Sequence, residues 1–155
     1  MGASEVEELS LTSAVTHLLE ECRMILPGVQ ALLGFQLIAV FSATFAEHLS
    51  PIEQCIHLLA LALLAIAGAL VIAPAAYHRQ TRPRQVSQHF LILSGRLLLT
   101  ALVPLMLGIA LDFYLIARII LGQTVLSLVL ASVLFVFVTG LWFVFPRWHQ
   151  RAKRH

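Results

Sequence analysis

The middle of the chain places the tightest constraint on the fold. Residues 71–84 read V-I-A-P-A-A-Y-H-R-Q-T-R-P-R, and their arginines separate one long apolar stretch from another. Lys and Arg collect in the cytoplasmic loops of membrane proteins. The basic connector, Arg79, Arg82 and Arg84, therefore predicts a cytoplasmic loop between two transmembrane helices, and Pro83 favours an extended or turned backbone in it.

The composition requires a membrane rather than water as solvent. The 155 residues are 59% hydrophobic and 12% charged, whereas a soluble domain is about 45–50% apolar and about 25% charged. About 20 helical residues cross the hydrocarbon core, and we predict four such spans at residues 26–46, 52–76, 86–111 and 124–148. The predicted fold class is all-α: an integral membrane four-helix bundle preceded by an N-terminal amphipathic helix.

The two ends of the chain are predicted to be cytoplasmic. Residues 1–25 carry a capping box at Ser4 and Glu7, and apolar residues follow at helical spacing: Leu11, Val15, Leu18, Cys22 and Ile25. Acidic residues on the other face favour a helix that lies against the basic cytoplasmic end of the bundle; a solvated N-terminus is the alternative. Residues 149–155 form a basic tail. With both termini inside, eight Lys and Arg are cytoplasmic and only Arg118 is external.

Local signals set the predicted span boundaries. Pro27 suits the first turn of the first span, and Ser50 with Glu53 suits the start of the second. Pro74 is expected to end or kink the second span, and residues 112–123 are expected to form a short connection or an interfacial helix. Small residues at steps of three and four predict that the second span is central or contacts another copy. This alanine stripe comprises Ala62, Ala65, Ala69, Ala73 and Ala76.

Three polar residues within the predicted spans form a candidate intramembrane site: Gln30, Gln36 and Arg96. Amide groups in a membrane need partners, so both glutamines are expected to face other helices. An arginine costs about 2.5–3.5 kcal/mol at the centre of a span. Arg96 is therefore either a charge on an anion or proton pathway, or a structural group paired to Gln30, Glu20 or Glu21.

Two further clusters are predicted at the ends of the spans. The external polar cluster comprises Glu47, His48, Glu53, His57, Asp112 and Arg118. Imidazole titrates near neutral pH. The external polar cluster is therefore either a pH-sensitive gate or a set of groups that face lipid headgroups. The cytoplasmic junction comprises Glu20, Glu21, Tyr77, His78 and Arg79. There the acids are expected to clamp the N-terminal helix to the bundle.

The sequence lacks the motifs of the common enzyme and cofactor classes. It has no phosphate-binding loop, nucleophile elbow or H-E-x-x-H motif, and no histidine spacing that fits a metal or haem. We expect no enzymatic activity, no cofactor, no metal and no nucleic-acid partner. Cys22 and Cys55 are expected to pack as small apolar residues without a disulfide. No carboxylate is expected inside the hydrocarbon.

Two motifs resemble those of an uncharacterised family of small four-span bacterial membrane proteins. One is a leader like E-x-R-x-x-L-P-G-x-Q, here at residues 21–30; the other is a helix end like A-P-T-A-Y-H-R at residues 73–79, with Ala75 where threonine is common. The resemblance implies a bacterial cytoplasmic membrane location. It implies no established reaction, although some members carry a sodium/proton antiporter label.

Two functions of different class follow. The first is an oligomeric ion or small-solute permeation protein, because four spans in one chain leave little room for an aqueous path and several copies would be needed. The second is a non-transporting accessory, sensor or scaffold subunit with a cytoplasmic interaction face. The expected partners are the lipid bilayer and further copies of the chain. The positions of Gln36 and Arg96 are expected to separate the two functions.

Overall fold

The computed structural model describes residues 11–81 and 88–152. Their elements are α1 (Leu11–Val40), α2 (Ala43–His48), α3 (Pro51–Thr81), α4 (Gln88–Leu121), α5 (Thr124–Thr139), a π-helical turn (Gly140–Val144) and α6 (Phe145–Ala152). Within these residues, four helical stretches are long and apolar enough to cross a membrane: Ser13–Val40, Pro51–Gln80, Gln88–Leu121 and Thr124–Trp148. The predicted all-α membrane fold with four spans is confirmed.

Short connections make the four long helices antiparallel neighbours. α3 packs most extensively on α4, α1 packs on both, and α5 packs on α4. We call the end that holds the start of α1 and α4 and the finish of α3 and α6 the basic end. The opposite end, with α2 and residues 122–123, is the loop end. Of the arginines whose side chains the structure describes, Arg23, Arg79, Arg96 and Arg147 lie towards the basic end and Arg118 towards the loop end.

From Leu11 onward the N-terminal segment is continuous with the first span, which corrects the prediction of a separate amphipathic helix at residues 1–25 for its described part; residues 1–10 lie outside the described residues. α1 runs through Pro27 without a break and ends at Val40, not at residue 46. Its buried positions, Val15, Cys22, Val29 and Gln36, recur every seven residues. The apolar face predicted from Val15, Leu18 and Cys22 thus continues into the span, because a spacing of three and four keeps it on one side of the helix. Proline is tolerated inside such helices.

The buried side of α3 is not the alanine stripe. It comprises Glu53, His57, Ala60, Leu64, Ala67, Val71 and Pro74, at alternating steps of four and three. Ala62, Ala65, Ala69 and Ala76 are exposed, and Ala73 is half-buried. Four of the five stripe residues lie two residues beyond a buried position, which is about 200° round the helix; Ala65 lies one residue beyond Leu64. α3 is central, as one alternative predicted, but it packs through the other face. It also continues past Pro74 to Thr81.

α4 is longer than predicted, and this changes the position of two charged residues. It runs through Asp112 and Arg118 to Leu121, so residues 112–121 continue the third span instead of forming a separate connection or interfacial helix. The turn to α5 is Gly122 and Gln123 alone. Gly122 has φ +65°, and its N–H donates to the Arg118 carbonyl at 3.0 Å. This is the left-handed glycine cap that ends many helices.

The closest approach of α3 and α4 depends on Gly108. A Cβ at this position would lie 3.1 Å from Cγ and Cδ2 of Leu64 and 3.3 Å from the Ala60 carbonyl oxygen. Only hydrogen therefore fits without a shift of the α3 backbone or of Leu64. Asp112 follows Gly108 by four residues, and His57 precedes Ala60 by three, about one helical turn in each case. The contact at Gly108 consequently sets the separation of His57 and Asp112.

α3 begins with the capping box predicted at Ser50 and Glu53. The Ser50 backbone N–H and hydroxyl both donate to Oε2 of Glu53 at 2.8 Å. The Glu53 backbone N–H donates to the Ser50 hydroxyl at 3.4 Å. Reciprocal bonds of this kind satisfy donors at the first turn, which have no partner within the helix.

Several predicted features lie outside the described residues. These are the capping box at Ser4 and Glu7, the connector residues Arg82, Pro83 and Arg84, and the last basic residues of the tail, Lys153 and Arg154. Cys22, which is buried, and Cys55, which is exposed, form no disulfide.

Gly108→Val is expected to destabilise the bundle by about 1–3 kcal/mol, the usual cost of overpacking. The matched change Gly95→Val on the same helix, where a Cβ would meet nothing within 4 Å, should alter the free energy of unfolding by no more than about 0.5 kcal/mol. Denaturant titration of helical circular dichroism in detergent measures both. Equal losses of stability would contradict the role given to the α3–α4 approach.

Ser50→Ala is expected to lower the free energy of unfolding by about 1 kcal/mol, because it removes the cap of α3. Ser42→Ala is the matched control. Ser42 occupies the same position before α2, but its side chain makes no capping bond to that helix. The control should cost only a few tenths of a kcal/mol, and a Ser50→Ala variant as stable as it would refute the capping role. The same denaturant titration reports both values.

Candidate functional site

Three polar side chains from three different helices meet inside the loop-end half of the bundle. Gln36 comes from α1, His57 from α3 and Asp112 from α4, and each occupies the buried side of its helix. We call these residues the interhelical polar cluster. Asp112 lies nine residues before the end of α4, so it is about 14 Å inside that helix. An aspartate therefore lies within a span, contrary to the expectation that the hydrocarbon region holds no carboxylate.

The histidine connects the backbone of one neighbouring helix to the carboxylate of another. Nε2 of His57 is 3.1 Å from the Gln36 backbone carbonyl oxygen, and Nδ1 is 3.9 Å from Oδ1 of Asp112. The Gln36 side-chain amide donates to Oδ2 of Asp112. All three helices are thus joined by polar contacts at this level.

The Nε2 contact restricts where protons can reside. A carbonyl oxygen only accepts, so Nε2 must carry a hydrogen to bond to it. In neutral His57 the Nδ1 lone pair then faces Asp112. When both groups are deprotonated, two acceptors face each other; one added proton, on Nδ1 or on the carboxylate, relieves this.

Gln36 retains an unused acceptor. Its side-chain Oε1 is buried and has no hydrogen-bond partner among the described residues. A cavity of about 210 Å³ borders the whole cluster, with apolar walls that include Leu32, Phe35 and Ile119. This volume can hold water, since one molecule occupies about 30 Å³ in the liquid. The three residues of the cluster therefore border a space large enough for water molecules.

The short helix α2 covers the cluster from the loop end. The ring of Phe45 meets the His57 imidazole edge-on, with the ring centroids 5.0 Å apart. Leu49 is buried directly after α2. These apolar groups separate His57 from the surface, which strengthens the electrostatic interactions of the cluster.

An ion pair lies nearer the loop end, about one turn beyond the cluster. Nε of Arg118 is 3.1 Å from Oε1 of Glu53, but its N–H is not aimed at that oxygen, so the contact is ionic rather than a hydrogen bond. Oε2 of the same carboxylate is held by the Ser50 cap. The arginine side chain is 30% exposed, so the pair is weaker than a buried one would be.

The structure brings together four of the six residues predicted for the external polar cluster. Glu53 contacts Arg118, and His57 approaches Asp112, as described above. Glu47 and His48 are exposed on α2. The residue that completes the arrangement, Gln36, was assigned to a different site by sequence reasoning. Its seven-residue spacing from Val29 and Cys22 is the signal that places it on the buried side of α1.

The predicted intramembrane site of Gln30, Gln36 and Arg96 does not form. Gln30 and Arg96 are exposed. Arg96 precedes Asp112 by 16 residues, so it lies about 24 Å from the cluster along α4. Among the described residues Arg96 has no ion pair with Glu20 or Glu21. Gln36 and Arg96 thus lie at opposite ends of the bundle. Their positions therefore do not separate the two expected functions.

The cytoplasmic junction forms with different contacts from those expected. Glu20 lies 3.6 Å from Nδ1 of His17 on its own helix. No ion pair of the described residues joins Glu20 or Glu21 to Arg79. Instead, the end of α3 is fixed to the start of α4 by aromatic contacts to Phe90. Tyr77 stacks on its ring at 5.9 Å and His78 lies at 5.4 Å.

The described residues contain no group of three or more His, Cys, Asp or Glu side chains that could hold a metal ion. A comparison with curated proteins and a comparison with solved structures each find no match to this chain. A family model matches residues 4–146, nearly the whole chain, and the chain therefore belongs to DUF6328, a family of unknown function.

Proposed function

We propose that this protein binds and releases a proton at Asp112 and His57 and thereby controls the permeation of an ion or small solute through a homo-oligomer. The observation that carries the proposal is the Nδ1 atom of His57, 3.9 Å from the Asp112 carboxylate within the spans. Ionisable groups inside membrane segments are costly and usually mark ion pathways, proton relays or ligand sites. The sequence lacks the motifs of the common enzyme classes, and we propose no enzymatic activity.

The proton is the favoured cargo of the cluster for a chemical reason. Nε2 of His57 is committed to a backbone carbonyl, so only Nδ1 and Asp112 remain to take up a proton. Uptake converts a repulsive contact into a hydrogen bond or an ion pair. The helices that carry the two groups are then drawn together, and loss of the proton favours their separation. A proton at this position is thus linked to the packing of α1, α3 and α4.

The proposed path runs between copies because the interior of one bundle is filled. Two packed groups of apolar side chains lie between the cluster and the basic end: Val29, Leu64, Ala67 and Leu105, and Leu18, Cys22, Val71, Leu98 and Ala101. An ion that crossed a single copy would have to displace them. The exposed alanine stripe on α3 supports contact between copies, since small residues allow helices to approach closely in lipid.

We propose the bacterial cytoplasmic membrane as the location, with the basic end inside. Four described arginines lie towards that end and one towards the other, and cytoplasmic loops carry an excess of Lys and Arg. The cluster then lies nearer the outer surface and takes its proton from that side through the loop end.

A second candidate function is a proton sensor that transports nothing. The same filled interior favours it, because protonation could shift α1 against α3 and α4 without opening a path. In this case the cytoplasmic face of the bundle would pass the signal to another protein. The two functions share the proton site and differ in flux alone.

A flux measurement separates the permeation protein from the proton sensor. Purified protein in liposomes is expected to carry protons, monovalent cations or anions between about pH 5 and 8, the range in which an imidazole titrates. Asp112→Asn should reduce the flux to that of protein-free liposomes, because an amide cannot take up the proton. Glu47→Gln is the matched acid-to-amide control at an exposed position, and it should behave as wild type.

Absence of flux in the wild-type protein under all these conditions would exclude the permeation proposal and leave the sensor. Undiminished flux through Asp112→Asn would exclude the cluster as the controlling site. Detergent-solubilised protein that is strictly monomeric would contradict the proposed path between copies.

The tautomer of His57 tests the proton site independently of transport. In the neutral form we expect the hydrogen on Nε2 alone, because the Gln36 carbonyl holds it there, whereas exposed His89 should populate both tautomers. Nitrogen NMR of histidine-labelled protein in micelles measures this, and His57→Gln assigns the signal. A hydrogen on Nδ1 of neutral His57 would contradict the proposed arrangement.

A further inference from the structure

A groove between α1 and α3 at the basic end combines charged and apolar walls. It has a volume of about 320 Å³, and its lining includes Arg23, Arg79 and His78 together with Leu26, Val71 and Ile72. We infer that it binds an anionic phospholipid, with the phosphate at the arginines and one acyl chain along the apolar wall.

The two arginines are available to a phosphate. Arg23 and Arg79 project from different helices and are both exposed. Neither forms an ion pair with a carboxylate of the described residues. Glu20 lies three residues before Arg23 on α1, but its carboxylate is 3.6 Å from Nδ1 of His17 instead. Guanidinium groups bind phosphate oxygens through paired N–H donors, so two in one groove form a strong phosphate site.

The groove is polar at its outer end and apolar at its inner end. α3 runs towards the basic end, so Arg79 lies seven residues, or about 10 Å, further out than Ile72. On α1, which runs the opposite way, Leu26 lies deeper than Arg23. A free phosphate would use only the outer half of this groove, whereas a phospholipid presents its phosphate and its chain in the same order as the walls.

The depth and the charge of the site agree with the leaflet that it would face. The basic end carries four of the described arginines, and such ends lie on the cytoplasmic side. The cytoplasmic leaflet holds anionic lipids that attract basic residues near the membrane surface. Basic pockets between helices on this side are a recognised form of binding site for anionic headgroups.

Native mass spectrometry of the full chain in mild detergent tests the inference. The probes are dioleoylphosphatidylglycerol, dioleoylphosphatidylcholine with the same chains, and inorganic phosphate. We expect retention of the phosphatidylglycerol over the phosphatidylcholine. The double variant Arg23→Gln, Arg79→Gln should bind phosphatidylglycerol roughly tenfold or more weakly, given the contribution of each basic residue near a membrane. The control Arg96→Gln, Arg147→Gln removes the same charge outside the groove and should keep the affinity.

Equal losses in the two double variants would overturn the site in favour of diffuse attraction. Equal retention of the two lipids would overturn the headgroup assignment, and binding of inorganic phosphate as tight as that of the lipid would overturn the assignment to a phospholipid.

A second pair of variants keeps every charge. Ala75→Phe fills the groove and should weaken lipid binding, whereas Ala76→Phe, at the next and exposed position outside the lining, should not; equal effects would overturn the inference. Helical circular dichroism confirms that each variant is folded.

Discussion

Leu64 has no exposed surface, and the missing side chain of Gly108 makes its position possible. Water cannot drive helices together inside a membrane, so contact depends on close packing. At this point a Cβ on α4 would lie only 3.1 Å from Leu64 and 3.3 Å from the carbonyl oxygen of Ala60. The His57–Asp112 contact lies one turn nearer the loop end. Packing of apolar atoms therefore comes first, and the polar contacts follow from the separation that it sets.

Magnitudes indicate that the polar cluster does not exist for stability. A charged aspartate at the centre of a span costs about 2.5–3.5 kcal/mol on insertion scales, whereas hydrogen bonds between membrane helices contribute about 0.6 kcal/mol on average. Asp112 lies towards one end of its span, where the cost is below this central figure, and the bond from Gln36 to Asp112 offsets only part of it. In a low-dielectric environment a neutral carboxyl group costs less than a charged one. A group that is cheaper with its proton than without it is suited to bind protons.

Apolar length and periodicity predict most of the fold, because lipid leaves helices as the only economical solution for such a chain. Cys22 was placed on the correct face of α1, and Glu53 in the correct cap. Asp112 was not placed within a span, because a carboxylate and an arginine interrupt the apolar run and resemble a connection. The alanine stripe around Ala65 did not identify the buried side of α3. Small residues indicate a close approach between helices, but they do not show whether the partner helix belongs to the same copy of the chain. Two of the three residues of the cluster, His57 and Asp112, were therefore grouped correctly by position along the spans, while Gln36 could be joined to them only through the packing of α1.

α1 links the two ends of the molecule because it contributes to both sites. Gln36 belongs to the polar cluster and Arg23 to the basic groove, and the helix between them is continuous. Their separation of 13 residues is about 20 Å. A displacement of one of them can be passed to the other along the continuous helix. Pro27 lies between the two, and its missing N–H leaves the Arg23 carbonyl without its helical partner, which is the usual place for a helix to bend. A proton-linked displacement of Gln36 would therefore reach the groove as a change of angle at Pro27. By thermodynamic linkage, a lipid that prefers one of these angles would alter proton affinity by the same factor as the proton alters lipid affinity.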